Sequence, residues 1–276
     1  QQPKFVFPNL GLEQEYFLID KADYERRRDI IVCGRTLFGA KTPKGQILSD
    51  QYLGNIRPRV KAFMAELDEE LWKLGIFAKT EHNEVAPCQH EMAAVYTRAT
   101  ISIDQNQLTM EIMKKVADRH GFHCLLNEKP FEGINGSGKH NNWSVATDEG
   151  ENLFNPGKNP YENTKFQLFL AAVIKAVDDY QDLLKVSVST ASNDHRLGGH
   201  EAPPAIISVY LGSRLTNMVE AIISGVDLEE AQANAVRKGD DEDRNRTSPF
   251  AYTGGKFEFR MAGASDNVSC ANYVLN

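Results

Sequence analysis

Apolar residues recur at Val60, Phe63, Met64, Leu67, Leu71 and Leu74, spaced by three or four, and Gly75 follows them. That spacing predicts a helix over 57–74 with a glycine stop. A second helix is expected from an Asp104 cap to about residue 120, with Leu108, Ile112, Met113 and Val116 inside and Gly121 after it. The longest predicted helix covers 160–186. Its centre, 166–177, is apolar on most sides, which predicts burial. Two short helices are expected at 215–223 and 228–236. Alternating or short apolar runs predict strands at 12–19, 76–86 (ending at Pro87), 91–96, 122–127, 140–146 and 256–261. Between them lie a loop-rich stretch at 20–54, a glycine-rich loop at 133–139, a Gly- and Pro-rich loop at 197–204 and an acidic link at 239–243. Strands and helices interleave without repeats. This pattern fits an α+β fold, a mostly antiparallel sheet backed by helices.

Composition adds limits. A chain of 276 residues suits one large domain or two small ones, and 41% apolar with 25% charged residues is ordinary soluble usage. The net charge of −7 argues against a nucleic-acid binder, which would carry a basic stripe. The four cysteines show no C-x-x-C or zinc spacing, which predicts reduced, mostly buried thiols of a cytoplasmic protein. No run of 18 apolar residues and no signal-peptide pattern occur, so no membrane segment is expected. The chain starts without Met, directly at a strand-like segment, and is expected to be part of a longer protein.

The candidate chemistry is a set of six potential metal ligands: Glu13, Glu15, Glu84, Glu91, His140 and Glu258. Glu13 and Glu15 are two apart on a strand and share a face. On spacing alone, a solvated face and a cation site are both open. Glu84 and Glu91 have opposite parity and face the same way only if the chain turns between them, a break that Pro87 supplies; the alternative is a polar loop. His140 leaves the glycine-rich loop onto a strand whose same face carries Asn142 and Ser144, an arrangement that lets the backbone approach a ligand closely. Glu258 and Arg260 share a face opposite Phe257 and Phe259, as a surface ion pair also would. Arg196, Glu201 and Arg246 are expected in loops, where arginines clamp carboxylates or phosphoryl groups or simply face water. Five carboxylates and one imidazole point to hard divalent cations and phosphate chemistry.

These segments, in this order, resemble glutamine synthetase, most closely its type III branch. The matching blocks are Gly-Leu-Glu-Gln-Glu-Tyr-Phe at 11–17, His-Asn-Glu-Val-Ala-Pro-Cys-Gln-His-Glu at 82–91 and Asn-Gly-Ser-Gly-Lys-His-Asn-Asn-Trp-Ser at 135–144. Three more follow: Asn-Asp-His-Arg-Leu-Gly-Gly-His-Glu-Ala-Pro-Pro at 193–204, Asp-Arg-Asn-Arg-Thr-Ser-Pro-Phe at 243–250 and Lys-Phe-Glu-Phe-Arg at 256–260.

The resemblance implies the curved, mostly antiparallel sheet of that family's catalytic domain, a fold of the glutamine synthetase/guanido kinase type. It would fill 1–276, with no counterpart here to the family's amino-terminal β-grasp domain. It implies ATP-dependent ligation of ammonium to L-glutamate through a γ-glutamyl phosphate. Glu15, Glu84 and Glu91 would hold the metal that organises glutamate and ammonium, and Glu13, His140 and Glu258 the metal on the ATP phosphates, as Mg²⁺ or Mn²⁺, two to three per site. Asn135 and Gly136 would bind the substrate backbone, Arg196 and Arg260 its carboxylates, with Arg246 on the transferred phosphoryl group. Glu201 would shield the acyl phosphate and help deprotonate ammonium. Asn142, Ser144 and Lys256 would lie near the nucleotide. A homo-oligomer of stacked hexameric rings is the implied assembly. Two alternatives stand beside this reading: an inactive structural relative, and a ligase joining glutamate to another amine. The stretch after Arg246 lacks a second arginine that other branches place five residues on.

Overall fold

The computed structural model describes residues 3–199, 202, 206–226 and 248–276. Among these, nine strands form one open sheet: β1 (Val6–Asp20), β2 (Ala78–Asn83), β3 (Gln89–Ala94), β4 (Thr97–Arg98), β5 (Phe122–Leu125), β6 (Lys139–Thr147), β7 (Val209–Tyr210), β8 (Phe250–Tyr252) and β9 (Phe257–Phe259). The main path runs β2-β3-β1-β6-β9-β8-β7. Every pairing is antiparallel except β7 with β8.

The organiser is β1. It pairs with β4 and β3 along one edge and with β6 and β5 along the other. Its even positions face helices and its odd positions face the candidate site. Leu10 and Leu12 pack into a core with α5 (Thr164–Val186), α7 (Gly212–Ser224), α8 (Ser269–Leu275) and the phenylalanines of β8 and β9. Tyr16 and Leu18 pack into a second core with α3 (Pro58–Lys73) and α4 (Ala99–Arg119). Gln14, 1% exposed, sits between the two cores. Its amide donates to the Ala264 carbonyl at 2.9 Å and accepts from Asn106 at 3.1 Å, so no buried polar atom of its own is left over.

Several expectations needed correction. The strand predicted at 12–19 reaches back to Val6, because β6 pairs with it over nine consecutive residues, past the end of the apolar run. The helix expected from Asp104 starts at Ala99, placing Asp104 inside it; tertiary contacts of Ala99 and Ser102 override a local capping signal. The 20–54 stretch contains two short helices, α1 (Lys21–Arg26) and α2 (Arg28–Cys33). The long helix starts at Thr164, capped by the Asn163 side chain, and buries one stripe only: Leu168, Leu183 and Val186 are exposed. Arg196 closes a six-residue helix, α6 (Ala191–Arg196), rather than lying in a loop. Three of the four cysteines (Cys33, Cys88 and Cys270) are exposed, and only Cys124 is buried. The helix expected at 228–236 and the acidic link at 239–243 lie outside the described residues.

Candidate active site

The odd face of β1 places Glu13 opposite His140 and Glu15 opposite Glu91. One strand further out, His82 of β2 is paired with Glu91, and Glu258 of β9 with Asn142. Because side chains opposite one another in a ladder share a face, the register alone collects residues from five strands on one surface. They form two groups with ligand atoms close enough to share an ion: Glu13–His140–Glu258 and His82–Glu84–Glu91.

The first group is tied down on every side. His140 Nδ1 lies 3.2 Å from a Glu13 oxygen and 2.9 Å from a Glu258 oxygen. Asn142 donates to the other Glu13 oxygen at 2.8 Å, Arg260 pairs with the other Glu258 oxygen at 3.2 Å, and Lys256 donates to Asn142 at 2.7 Å. Burial opposes the charge of His140, but hydrogen bonds to the two carboxylates outweigh it and hold the imidazolium well above its ordinary range. Burial likewise pushes Glu13 and Glu258 up; the hydrogen bond and charge of His140 reverse this and leave both below the usual carboxylate range.

The second group straddles a turn. Between β2 and β3 the chain reverses through Cys88, whose φ of 63° is left-handed, closed by a bond from Glu84 N to the Gln89 carbonyl at 2.9 Å. The turn expected at Pro87 therefore exists, with Cys88 adopting the unusual backbone. It brings Glu84 onto the face of Glu91. His82 Nε2 meets Glu91 at 2.8 Å and Nδ1 lies 3.6 Å from Glu84. The bond to Glu91 raises the His82 pKa to about 9, with burial working against it.

Glu15 lies between the groups, 6% exposed, accepting from Gly138 N–H at 2.6 Å. Burial, with the nearby Glu91 charge adding to it, raises its pKa to about 7 although His140, Arg196 and that N–H pull the other way. Burial is the leading cause of that rise, and a bound cation would offset it. The donor sets contain carboxylate oxygen and imidazole without thiolate, and so fit a hard divalent ion of the Mg²⁺ or Mn²⁺ kind.

The glycine loop 133–139 closes one end. A Cβ at Gly136 would strike the Glu128 carbonyl, and one at Gly138 the Arg196 guanidinium, so both positions require the missing side chain. Arg196, 3% exposed, lies beneath this loop. Its guanidinium bonds Asn193 at 3.0 Å and the carbonyls of Arg260, Met261 and Ala262 at 2.9 to 3.3 Å. Arg260 donates to the Ser248 carbonyl at 3.3 Å besides pairing with Glu258. At the other end, Glu13, Asn142, Ser144 and Lys256 line a cavity of about 540 Å³ that also takes in Tyr96 and Lys79.

Eleven of the residues singled out from the sequence thus meet on or against one sheet face: Glu13, Glu15, Glu84, Glu91, Gly136, His140, Asn142, Ser144, Lys256, Glu258 and Arg260. Asn135 adjoins them through the loop, and Arg196 lies behind it. Glu201 and Arg246 lie outside the described residues. The sequence reading missed His82. It stands two residues from Glu84 within an already conspicuous block, and strand parity puts both side chains on one face. It also missed Glu128, which is fully buried; its carbonyl accepts from Ser137 N at 2.7 Å and its carboxylate from Ser265 N at 2.9 Å. No local signal marks it.

The family model described as "Glutamine synthetase, catalytic domain" matches residues 2–208. The chain is 58% identical to a glutamine synthetase of Butyrivibrio fibrisolvens, over 97% of this chain and 39% of that protein. It is 49% identical to a type-3 glutamine synthetase of Dictyostelium discoideum, over 100% of this chain and 39% of that protein. The chain therefore spans about two fifths of the length of these relatives. Among solved structures, ligand-free GmaS superposes with a TM-score of 0.62 at 20% identity, over 98% of this chain and 52% of that one, a likeness of fold. Among the described residues no helix is long and apolar enough to cross a membrane.

Proposed function

The chain belongs to the glutamine synthetase family, by its catalytic domain, and on that premise we propose that it is the catalytic portion of an ATP-dependent glutamate–ammonia ligase. The observation that carries the reading is the pair of carboxylate–imidazole groups set side by side on one face of β1. Phosphoryl transfer from ATP to a carboxylate brings together many negative oxygens, and a bare protein face of acids would repel them.

In this proposal Glu13, His140 and Glu258 hold one divalent ion on the nucleotide side, and Glu15, Glu84 and Glu91, with His82 beside them, hold another on the acceptor side. Mg²⁺ or Mn²⁺ bound there neutralises phosphate and carboxylate charge during in-line transfer. Asn142, Ser144 and Lys256 receive the nucleotide in the cavity they line. Asn135 and Gly136 receive the main-chain groups of glutamate. Arg260 holds a substrate carboxylate from within the Glu258 pair. From the resemblance, Arg196 holds a substrate carboxylate as well; from behind the loop, with Nη1 and Nη2 on four partners, it also lends positive charge to the Glu15 side. From the resemblance, Arg246 faces the transferred phosphoryl group, and Glu201 excludes water from the acyl phosphate and takes a proton from ammonium. The enzyme works in the cytoplasm as a homo-oligomer, and 1–276 is one catalytic domain within a longer subunit.

The test is glutamate-dependent phosphate release from ATP with Mg²⁺, with and without ammonium, on this chain and on its full-length parent. Glu91→Ala is expected to abolish turnover with the fold intact, and Arg246→Ala to keep ATP binding while losing phosphoryl transfer, as a transition-state arginine does. Folded, metal-binding protein without glutamate-dependent release in the parent would instead indicate an inactive structural relative. Competition among amines would reveal a different acceptor.

A further inference from the structure

Residues 42–54 form a strap across the acceptor side of the site, and it is fastened at two places. At one, the Gln46 carboxamide meets Asn135 from both ends: Asn135 N–H donates to Gln46 Oε1 at 2.6 Å, and Gln46 Nε2 donates to Asn135 Oδ1 at 3.1 Å. At the other, the Asn83 amide donates to the Gly54 carbonyl at 3.0 Å, and the Tyr52 ring stands edge-on to His82 with centroids 5.2 Å apart. Between the fastenings almost nothing holds the tip. Ile47, Leu48 and Leu53 are 78%, 91% and 81% exposed. Leu48 and Ser49 both sit in the left-handed region, at φ 56° and 54°, which side chains disfavour. Beneath the strap is a cavity of about 390 Å³ whose walls include Lys44, Gln51, Asn55, Asn83 and Glu84.

A segment with an unpacked, disfavoured backbone stays down only through its end contacts. One of those contacts occupies the Asn135 backbone N–H, which the proposed function gives to the amino-acid substrate. We propose that the strap is a lid, latched by Gln46 on Asn135, and that the α-carboxylate of the amino-acid acceptor opens it by taking the Asn135 N–H from Gln46 Oε1, the shorter of the two latch bonds, which leaves only the 3.1 Å bond from Gln46 Nε2. A carboxylate is an ionised acceptor and a carboxamide a neutral one, and hydrogen bonds to ionised acceptors are about twice as strong. The incoming group therefore wins the exchange, and the released tip relaxes. That an amino acid is the opener rests on the ligase reading; the latch contacts themselves do not. Gln46 is a positioning residue here and touches no reacting atom.

The test is residue-resolved hydrogen exchange on the full-length protein, wild type and Gln46→Ala, with L-glutamate or with γ-aminobutyrate, which lacks the α-carboxylate. In the wild type, L-glutamate is expected to speed exchange across 46–54 about tenfold, the factor that one lost fastening of this size gives. The Asn135 amide stays protected, because one acceptor replaces another, and γ-aminobutyrate changes neither. Gln46→Ala should show the fast strap without any amino acid. Its KM for glutamate should fall about fivefold to tenfold with kcat unchanged, the relief of a closed resting state. Gln46→Leu, which keeps the side-chain volume, should match it and guards against a folding defect in the alanine variant. Glutamate that slows strap exchange, or a Gln46 variant with wild-type strap exchange or a raised KM, would overturn the lid. The exchange pattern appearing in a protein without ligase turnover would uphold the latch and retire the ligase reading alone.

Discussion

The two ligand groups of the site share one sheet face but are built in different ways. Glu13, His140 and Glu258 come from the middle of three hydrogen-bonded strands, and each carboxylate oxygen has a named partner. His82, Glu84 and Glu91 sit around a turn, with His82 one-third exposed and the strap lying over it. The first group behaves as part of the fold: two buried cations depend on its carboxylates. The second reaches the sheet's edge at β2: Glu84 and Glu91 are buried, but the cation facing them, His82, is partly exposed and sits on the edge strand. On the proposed function, the first group would give nucleotide phosphates a fixed clamp and the second would receive the acceptor.

The sharpest way to break this comparison is to remove one charge from each group. Glu258→Gln leaves buried His140 and Arg260 facing a neutral amide, and a stability loss of about 3 to 5 kcal/mol is expected in urea unfolding, as when a buried pair loses one partner. Glu91→Gln leaves only a partly exposed imidazole that can turn to water, and about 1 kcal/mol or less is expected. Equal losses would mean that the two groups are equally structural.

Glu15, between them, sharpens the comparison through pH. Its folded-state pKa of about 7 lies above its ordinary 4.5, so the folded state resists its ionisation. Stability is therefore lost as pH rises from about 4.5 to about 7, and the penalty is complete above that. In metal-free buffer Glu15→Gln is expected to be more stable than wild type by up to about 3 kcal/mol at pH 8, and equal to it at pH 4. An advantage that stays the same at both pH values would show that crowding of charge is not the cause.

A smaller effect belongs to the edge. Asn83→Ala removes the exposed bond to Gly54 and the 3.0 Å bond to the buried His90 ring, and is expected to cost about 1 to 2 kcal/mol in urea unfolding, while quickening exchange of the strap. A cost comparable with Glu258→Gln would make the second group as rigid as the first.

How much of this was legible beforehand follows the same division. Period-two spacing placed Glu13 with Glu15 and Glu258 with Arg260, because parity within a strand needs no partner. The helix at Pro58–Lys73 was likewise written in its own spacing. What the sequence hid depends on distant partners. Ala99 begins a helix without a capping side chain because β4 and the core deliver it there. The α6 helix rests on the Thr190 cap over six residues of low propensity. Gln46 and Asn135 are far apart in the chain, and nothing near either one announces the other. Charge balance was legible only in part: the acids could be counted, but their depressed and raised pKa values depend on which of them His140 reaches.

The central strand has one more consequence, in the order of events during synthesis. The core around Tyr16 and Leu18 is complete once residue 126 has emerged, so the α3–α4 half can close early on local and mid-range contacts. Glu13 must wait for Glu258, which lies far along the chain from it. Until then a strand edge of β1 or β6 and the unpaired acids beside it stand open, a state prone to wrong pairing with other chains. A ribosome pause or a truncation ahead of β9 would therefore yield a half-folded protein with an exposed edge. The same separation means that no nascent chain assembles the Glu13–His140–Glu258 group before β9 has joined the sheet.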